Sequence, residues 1–264
     1  MIDSSLLALV PEFVRDATRP IHTWQPGVTP MSTLPEVLAG AAGYLIIVLG
    51  GQQVMRLFPA VPAHWLRLPF LVHNLLLSLG SLLLLLLYLE RVIPFMATYG
   101  LHPSLCSHKI FGIVELYHII NYYFKYWEFA DTFFLVLKKK KLMFLHVYHH
   151  MATAALCYSQ IQYETPVSWI VICMNLGVHV IMYGYYAMAT LGIRCPWKKW
   201  ITTGQILQFV IDLVFCLYAW YNHTAANLSF HLPHVGPCDG SPSAAVLGVF
   251  VLTSYLFLFI LCTL

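Results

Sequence analysis

The sequence predicts an all-α membrane protein with seven transmembrane helices. Only 9% of its 264 residues are charged and 59% are hydrophobic, whereas soluble domains carry about 25% charged residues. Several nearly uncharged runs approach the roughly 20 residues that a helix needs to cross about 30 Å of hydrocarbon. The net charge of +3 is small and scattered, so composition argues against a nucleic-acid partner.

The first three predicted helices follow the apolar runs in chain order. The first, 35–53, comes after a segment broken by four prolines, so residues 1–34 are interpreted as a lumenal segment ahead of one membrane domain, 35–264. The second, 68–89, is rich in leucine. The third, 111–136, is the least apolar of all because it carries several ionisable side chains.

The other four predicted helices are separated by basic or proline-containing loops. The fourth, 142–160, follows the lysine run Lys138 to Lys141, and the fifth is 166–189. The sixth, 200–221, follows a second basic loop. The seventh, 244–264, reaches the last residue, and this ending predicts a truncated chain that lacks a cytosolic tail.

Basic residues predict the orientation, because cytosolic loops carry an excess of lysine and arginine. A lumenal N-terminus leaves only four basic residues on the lumenal side. The cytosolic loops then contain Arg56, Arg67, Lys138, Lys139, Lys140, Lys141, Arg194, Lys198 and Lys199.

This orientation gives the loop between helices six and seven a lumenal position. Two glycosylation sequons, at Asn222 and Asn227, are predicted in that loop. Cys106 and Cys238 are the only cysteines in predicted lumenal loops. Because that compartment is oxidising, the two cysteines are predicted to form a disulfide.

Polar residues recur within four of the predicted spans, where ionisable side chains are costly and usually functional. In helices three and four, spacings of three and four residues turn each set to one helical face. The four sets are Lys125, Glu128, Asp131 and Thr132; His146, His149 and His150; Asn175, His179, Tyr183 and Tyr186; and Thr202, Gln205 and Gln208.

The four sets lie at similar depths. At the helical rise of about 1.5 Å per residue, each set is roughly 8–16 Å from the cytosolic loop that follows or precedes its helix. We therefore expect acids, histidines and amides from four helices to converge on one site near the cytosol.

Structural roles are the alternative for several of these residues. Lys125 with Glu128 or Asp131 also fits an ion pair that holds a helix in the bundle. The amides fit hydrogen bonds between helices; they are Asn175, Gln205 and Gln208. Three histidines within five residues of a membrane helix are much harder to explain by packing alone.

Two chemistries use clustered histidines in membranes. A di-iron desaturase or hydroxylase needs many imidazole or carboxylate ligands, and only one histidine box is present here, with His179 at a comparable depth. The other chemistry uses neutral imidazole as a nucleophile or base, with a carboxylate that orients the ring. The second alternative needs no metal and no cofactor, and it agrees better with the residues.

The motifs resemble those of the very-long-chain fatty acid elongase family, in particular its fungal members. They cover predicted helices three to six in the family order. They are K-x-x-E-x-x-D-T at 125–132, H-x-x-H-H at 146–150, N-x-x-x-H-x-x-M-Y-x-Y-Y at 175–186 and T-x-x-Q-x-x-Q at 202–208. The chain departs from the family at its C-terminus, where members usually continue into a basic cytosolic tail.

The resemblance implies a fold and an activity. Helices two to seven are expected to form a six-helix barrel around an acyl tunnel, with helix one peripheral. The implied reaction condenses long-chain acyl-CoA with malonyl-CoA to give 3-oxoacyl-CoA, CoA and CO2, the first step of fatty acid elongation at the endoplasmic reticulum membrane. The fungal resemblance favours long to very long saturated chains that feed sphingolipids.

The resemblance also implies residue roles. His149 is expected to carry the acyl group as an acyl-imidazole, and His179 to position malonyl-CoA. His146 and His150 are expected to shape the pocket or to orient His149, with Glu128 and Asp131 as supporting acids. Substrate contacts are expected from Lys125, Asn175, Tyr183, Gln205 and Gln208, and contacts to the CoA phosphates from Lys138, Lys139, Lys140, Lys141 and Arg194.

The expected partners are acyl-CoA, malonyl-CoA, membrane lipid, and the ketoreductase, dehydratase and enoyl reductase of the elongation cycle. A homo-oligomer is left open. Two other functions remain as alternatives: a metal-dependent lipid desaturase or hydroxylase, and a seven-helix transporter or receptor without catalysis.

Overall fold

A computed structural model describes residues 22–228 and 232–263, together with Glu12. The predicted lumenal segment 1–34 therefore lies largely outside the described residues. The described residues form an all-helical structure. Its helices are α1 (Leu34–Arg56), α2 (Ala63–Tyr99), α3 (Leu101–Cys106), α4 (His108–Trp127), α5 (Phe129–Leu137), α6 (Phe144–Gln162), α7 (Ser168–Thr190), α8 (Lys198–Asn227) and α9 (Pro242–Thr263).

Specific residues explain where α1 begins and where α2 ends. Thr33 and Glu36 form a capping box at the start of α1, with the Thr33 N–H donating to Glu36 Oε2 over 2.9 Å. Helix α2 contains Pro69 and Pro94 and still runs for 37 residues, far beyond the predicted 68–89. It ends at Gly100, whose φ of 85° is readily adopted only by glycine.

The third predicted helix is not continuous. The structure divides it at Glu128, which caps both α4 and α5. The Glu128 N–H bonds Phe124 O in the helical pattern, but the Asp131 N–H bonds Glu128 O, only three residues back. This tighter turn ends one helix and starts the next, and it lies in the middle of the polar motif.

Five helices within the described residues are long and apolar enough to cross a membrane: α1, α2, α7, α8 and most of α9. Helices α4, α5 and α6 are shorter or more polar, because they carry the acids and histidines. Large apolar side chains face outward along the long helices, for example Ile46, Leu79 and Phe250. The chain is therefore a multi-pass membrane protein.

Helix contacts run in a closed circuit. Helix α2 packs along α7, α7 along α8, α8 along α9, α9 along α6, α6 along α4, and α4 along α2. Helix α1 contacts α5 and α6 from outside this circuit, as expected for a peripheral helix. The polar helices α4 and α6 thus complete the circuit that the apolar helices begin.

The predicted cysteine pair is bonded in the structure. Cys106, the last residue of α3, forms a disulfide with Cys238 in the loop before α9. The same loop is held by the Asp239 N–H, which donates to Cys106 O over 2.8 Å. The His108 N–H donates to Asp239 Oδ2 over 2.7 Å.

The structure corrects the loop position predicted for the sequons, because α8 continues to Asn227. Asn222 is 2% exposed. Its Nδ2 donates to Tyr218 O over 2.9 Å, and its Oδ1 accepts from the Val235 N–H over 3.0 Å. A glycan on Asn222 would break this burial. Asn227 lies exposed in the last turn and remains a predicted site.

Candidate active site

Two adjoining cavities lie inside the helix circuit. One is an inner cavity and the other is an outer cavity. Four residues line both cavities and form the wall between them: His149, Asn175, Gln208 and Phe209. Three of these four belong to the polar sets predicted to converge.

The inner cavity is mainly apolar. Its lining includes Leu156, Ile161, Val171, Ile172 and Leu252, contributed by helices α6, α7 and α9. The outer cavity contains most of the ionisable groups, among them Glu128, Asp131, His146, His150 and His179. The wall thus separates a space suited to hydrocarbon from a space suited to polar groups.

His149 lies beside Tyr255, which lines the inner cavity. The Tyr255 hydroxyl from α9 donates to His149 O over 3.2 Å, and the two rings lie 4.8 Å apart. Among the described residues, no group forms a hydrogen bond with either ring nitrogen of His149. An imidazole with an unoccupied nitrogen lone pair can act as a nucleophile.

A closed polar ring joins α4 and its C-terminal cap to α7. Its members are Lys125, Glu128, Asn175 and His179. Lys125 Nζ donates to Glu128 Oε1 and to Asn175 Oδ1, each over 2.8 Å. His179 Nδ1 lies 3.3 Å from Glu128 Oε1. The Asn175 Nδ2 and His179 Nε2 atoms are also 3.3 Å apart.

The donors in this ring determine the orientation of its amide and imidazole. Lysine is only a donor, so the Asn175 oxygen faces Lys125 and the Asn175 nitrogen faces His179. His179 Nε2 must then accept, and its proton lies on Nδ1, directed at Glu128. Both nitrogens of His179 are therefore engaged, in contrast to those of His149.

Asp131 is held by two donors from other helices. His73 Nε2 on α2 lies 2.8 Å from Asp131 Oδ1. The Tyr183 hydroxyl on α7 donates to Asp131 Oδ2 over 2.7 Å. His73 was not among the predicted site residues, because it follows no motif with the others.

The other two histidines of the box differ in their partners. His146 Nε2 lies 3.1 Å from Thr132 Oγ1, which also bonds the Tyr44 hydroxyl of α1 over 2.8 Å. His150 is buried, and its Nδ1 has no partner among the described residues. The His146 and His150 rings are 4.5 Å apart. Both histidines shape the outer cavity.

The two glutamines of α8 lie in different places. Gln208 is buried in the wall, and its Nε2 donates to Asp212 Oδ2 over 3.0 Å. Gln205 lines only the outer cavity, where its Nε2 lies 3.6 Å from Met182 Sδ.

An entrance pocket adjoins the outer cavity, with Phe70 and Tyr186 lining both. It is basic, because Arg67, Lys138 and His64 line it. Lys138 Nζ lies 3.6 Å above the Phe70 ring. Burial, and secondarily the nearby Lys140, lower the pKa of Lys138 below its usual range.

The remaining basic residues predicted to contact phosphate lie elsewhere. Lys139 Nζ donates to Phe58 O over 2.8 Å. Three others are exposed and line none of the three cavities: Lys140, Lys141 and Arg194. Arg67, which the sequence analysis used only for orientation, lines the entrance pocket.

Comparison with known proteins finds one family over most of the chain. A family model described as "ELO: GNS1/SUR4 family" matches residues 29–262. The chain is 46% identical over 237 residues to putative fatty acid elongase 1 of Schizosaccharomyces pombe, covering 89% of this chain and 70% of the relative.

Two further relatives give a similar result. Identity to putative fatty acid elongase 2 of the same yeast is 43% over 234 residues, or 88% of this chain and 63% of the relative, less than two thirds of its length. Identity to fatty acid elongase A of Dictyostelium discoideum is 36% over 255 residues, covering 94% and 90%.

Proposed function

The chain belongs to the ELO (GNS1/SUR4) family of fatty acid elongases, and from this premise we propose that it is a 3-oxoacyl-CoA synthase. It condenses a long-chain acyl-CoA with malonyl-CoA in the membrane of the endoplasmic reticulum. The observation that carries the proposal is the position of His149 in the wall between an apolar and a polar cavity, where no described residue bonds either of its ring nitrogens.

The first half-reaction transfers the acyl group to His149. A ring nitrogen attacks the thioester carbon, the C–N bond forms and the carbonyl becomes an oxyanion. When the oxyanion collapses, the C–S bond breaks. CoA leaves with the proton from the imidazole, and an acyl-imidazole remains.

The second half-reaction forms the new carbon–carbon bond. Malonyl-CoA loses CO2, and the electron pair of the broken bond forms an enolate. The enolate carbon attacks the acyl carbon, the C–N bond breaks and His149 recovers one proton from solvent. The sum is acyl-CoA, malonyl-CoA and one proton giving 3-oxoacyl-CoA, CoA and CO2.

The two cavities fit the two substrates. The apolar inner cavity suits the acyl chain and serves as the tunnel of a barrel formed by α2 and α4 to α9. The polar outer cavity suits malonyl-CoA, beside His179 and Asp131. Arg67 and Lys138 in the entrance pocket suit the CoA phosphates.

His179 positions malonyl-CoA in this account and does not act as a second nucleophile. Its lone pair at Nε2 accepts from Asn175, and its Nδ1 proton is directed at Glu128. Asp131, held by His73 and Tyr183, supports the same cavity. His146 and His150 set its shape from α6.

A desaturase or hydroxylase is supported less well. Among residues 22–228 and 232–263, three possible metal ligands have ligand atoms within 4.8 Å of one another. They are His102, Cys106 and Cys238. Two of these are joined as a disulfide, and none belongs to the candidate site. A transporter or receptor leaves the unbonded nitrogens of His149 without a role.

A condensation assay tests the proposal. Purified protein in detergent, given palmitoyl-CoA and [2-14C]malonyl-CoA, is expected to form labelled 3-oxoacyl-CoA and to release equimolar CO2. His149→Ala is expected to abolish both products. The proposal would be overturned if product formation depended on added iron and oxygen. It would also be overturned if no acyl-CoA gave a condensation product.

A further inference from the structure

We propose that Asn175 and Gln208 donate the two hydrogen bonds that stabilise the oxyanion formed when His149 attacks the acyl carbonyl. The inference rests on the proposed function and assigns these two amides a catalytic role. Preorganised amide donors aimed at a developing oxyanion are a large source of rate enhancement in acyl transfer.

Both amides lie where the oxyanion must form. They share with His149 the wall between the two cavities. The acyl carbon has to reach His149 from the inner cavity, while the enolate has to reach the same carbon from the outer one. The carbonyl oxygen is therefore held at this wall in both half-reactions.

The Asn175 amide has a donor to spare. Its oxygen accepts from Lys125 Nζ over 2.8 Å, which directs its nitrogen away from α4. That nitrogen carries two protons, and one is used by His179 Nε2. The second has no partner among the described residues. Lys125 also polarises the amide and strengthens its remaining donor.

The Gln208 amide is arranged in the same way. Its Nε2 donates one proton to Asp212 Oδ2 over 3.0 Å. The other proton has no partner in the described part of the chain, although the side chain is only 3% exposed. Asp212 lies one helical turn further along α8, and its carboxylate orients this nitrogen.

Interhelical packing does not explain both amides. Asn175 does join α7 to α4 through Lys125. The Gln208–Asp212 bond, however, lies within α8 and joins no two helices. A buried amide that is oriented by its own helix and keeps one unused donor at a cavity wall is suited to bind a ligand atom.

Single-turnover acylation tests the assignment. The wild type and Gln208→Met are mixed with palmitoyl-CoA without malonyl-CoA, and release of CoA is timed. Gln208→Met should slow acylation by about 10²- to 10³-fold, the loss found for one oxyanion donor. The variant should bind hexadecyl-CoA, a thioether without a carbonyl, within threefold of the wild type.

Two further variants separate catalysis from folding. Gln162→Met removes an amide on α6 that bonds Trp24 outside both cavities, and it should acylate at the wild-type rate. The double variant Gln208→Met/Asp212→Leu removes the carboxyl that Gln208→Met leaves buried, and it should stay as slow as the single variant. Asn175→Leu should be slow as well.

Two outcomes would overturn the assignment. One is acylation of Gln208→Met and Asn175→Leu within threefold of the wild-type rate. The other is a loss of hexadecyl-CoA affinity as large as the loss of rate, which indicates a packing role. If the wild type acylates, these results leave the proposed function intact. No acylation by the wild type would overturn the acyl-imidazole mechanism and this inference together.

Discussion

Lys125 Nζ, in the last turn of α4, lies 2.8 Å from Asn175 Oδ1 on α7. This one bond determines which way the Asn175 amide faces and, through it, which nitrogen of His179 carries the proton. Two histidines close to one another thereby acquire different properties. Within the part of the chain that the structure describes, both ring nitrogens of His179 have partners, and those of His149 have none.

The Lys125–Glu128 pair should stabilise the fold only as a pair, because both side chains are 2% exposed. Lys125→Met leaves the Glu128 carboxylate buried with His179 as its remaining partner, and we expect a loss of about 3–5 kcal/mol. Lys125→Met/Glu128→Gln removes both charges and should regain most of that loss. Thermal unfolding in detergent measures both, and a double variant no more stable than the single one contradicts this account.

The Tyr183 hydroxyl should contribute to stability through Asp131. It donates to Asp131 Oδ2 over 2.7 Å, and a hydrogen bond to a charged group is worth about 1.5–3 kcal/mol. Tyr183→Phe should therefore lower the free energy of unfolding by that amount. Tyr185→Phe is the matched control, since no hydrogen bond of its hydroxyl is found among the described residues. Equal effects of the two variants would refute the role assigned to Tyr183.

The entrance pocket should make CoA binding sensitive to salt. Neutralising Lys138, which lines the pocket, is expected to raise the KM for malonyl-CoA about fivefold to tenfold, as one partly screened phosphate contact is worth about 1 kcal/mol. Lys138→Gln should also flatten the dependence of KM on ionic strength.

Lys109→Gln is the control for charge, because Lys109 lies exposed at the start of α4, far along the chain from the entrance pocket. It changes the net charge equally and should leave KM unchanged. An equal rise in KM for both variants would mean that the overall charge, and not the pocket, attracts CoA.

The two sequons should behave differently. Asn222 is buried with both polar atoms of its amide bonded, whereas Asn227 is exposed in the last turn of α8. The protein is expressed in microsomes and treated with endoglycosidase. We expect any glycan that the enzyme removes to be absent from Asn227→Gln and present on Asn222→Gln. The reverse pattern would show that the end of α8 unwinds in the membrane.

The sequence located the long apolar helices and grouped the polar residues, because both patterns depend on local periodicity. Apolar runs located the long helices, and spacings of three and four placed Glu128 with Asp131 and His146 with His149 on common faces. The end of α8 was placed six residues too early, since His223 to Asn227 are too polar to read as a span.

The sequence did not predict contacts that depend on tertiary packing. The closed ring through Lys125 and Asn175 joins residues 50 positions apart. His73 reaches Asp131 across 58 positions without any motif. Within the lysine run, the four residues look alike in sequence. The chain has a positive φ of 51° at Lys139, and of the four lysines Lys138 lines the entrance pocket.

The most direct test of the central claim is mass spectrometry of the purified protein after incubation with a long-chain acyl-CoA and no malonyl-CoA. We expect one acyl adduct on the peptide that contains His149, formed with release of CoA and lost when malonyl-CoA is added. His149→Ala should carry no adduct. His179→Ala should still be acylated at His149, because the ring nitrogens of His179 are hydrogen-bonded in the wild type and His179 is not the nucleophile. An adduct on His179 in the wild type, or turnover without any adduct, would contradict the assignment of His149 as the nucleophile.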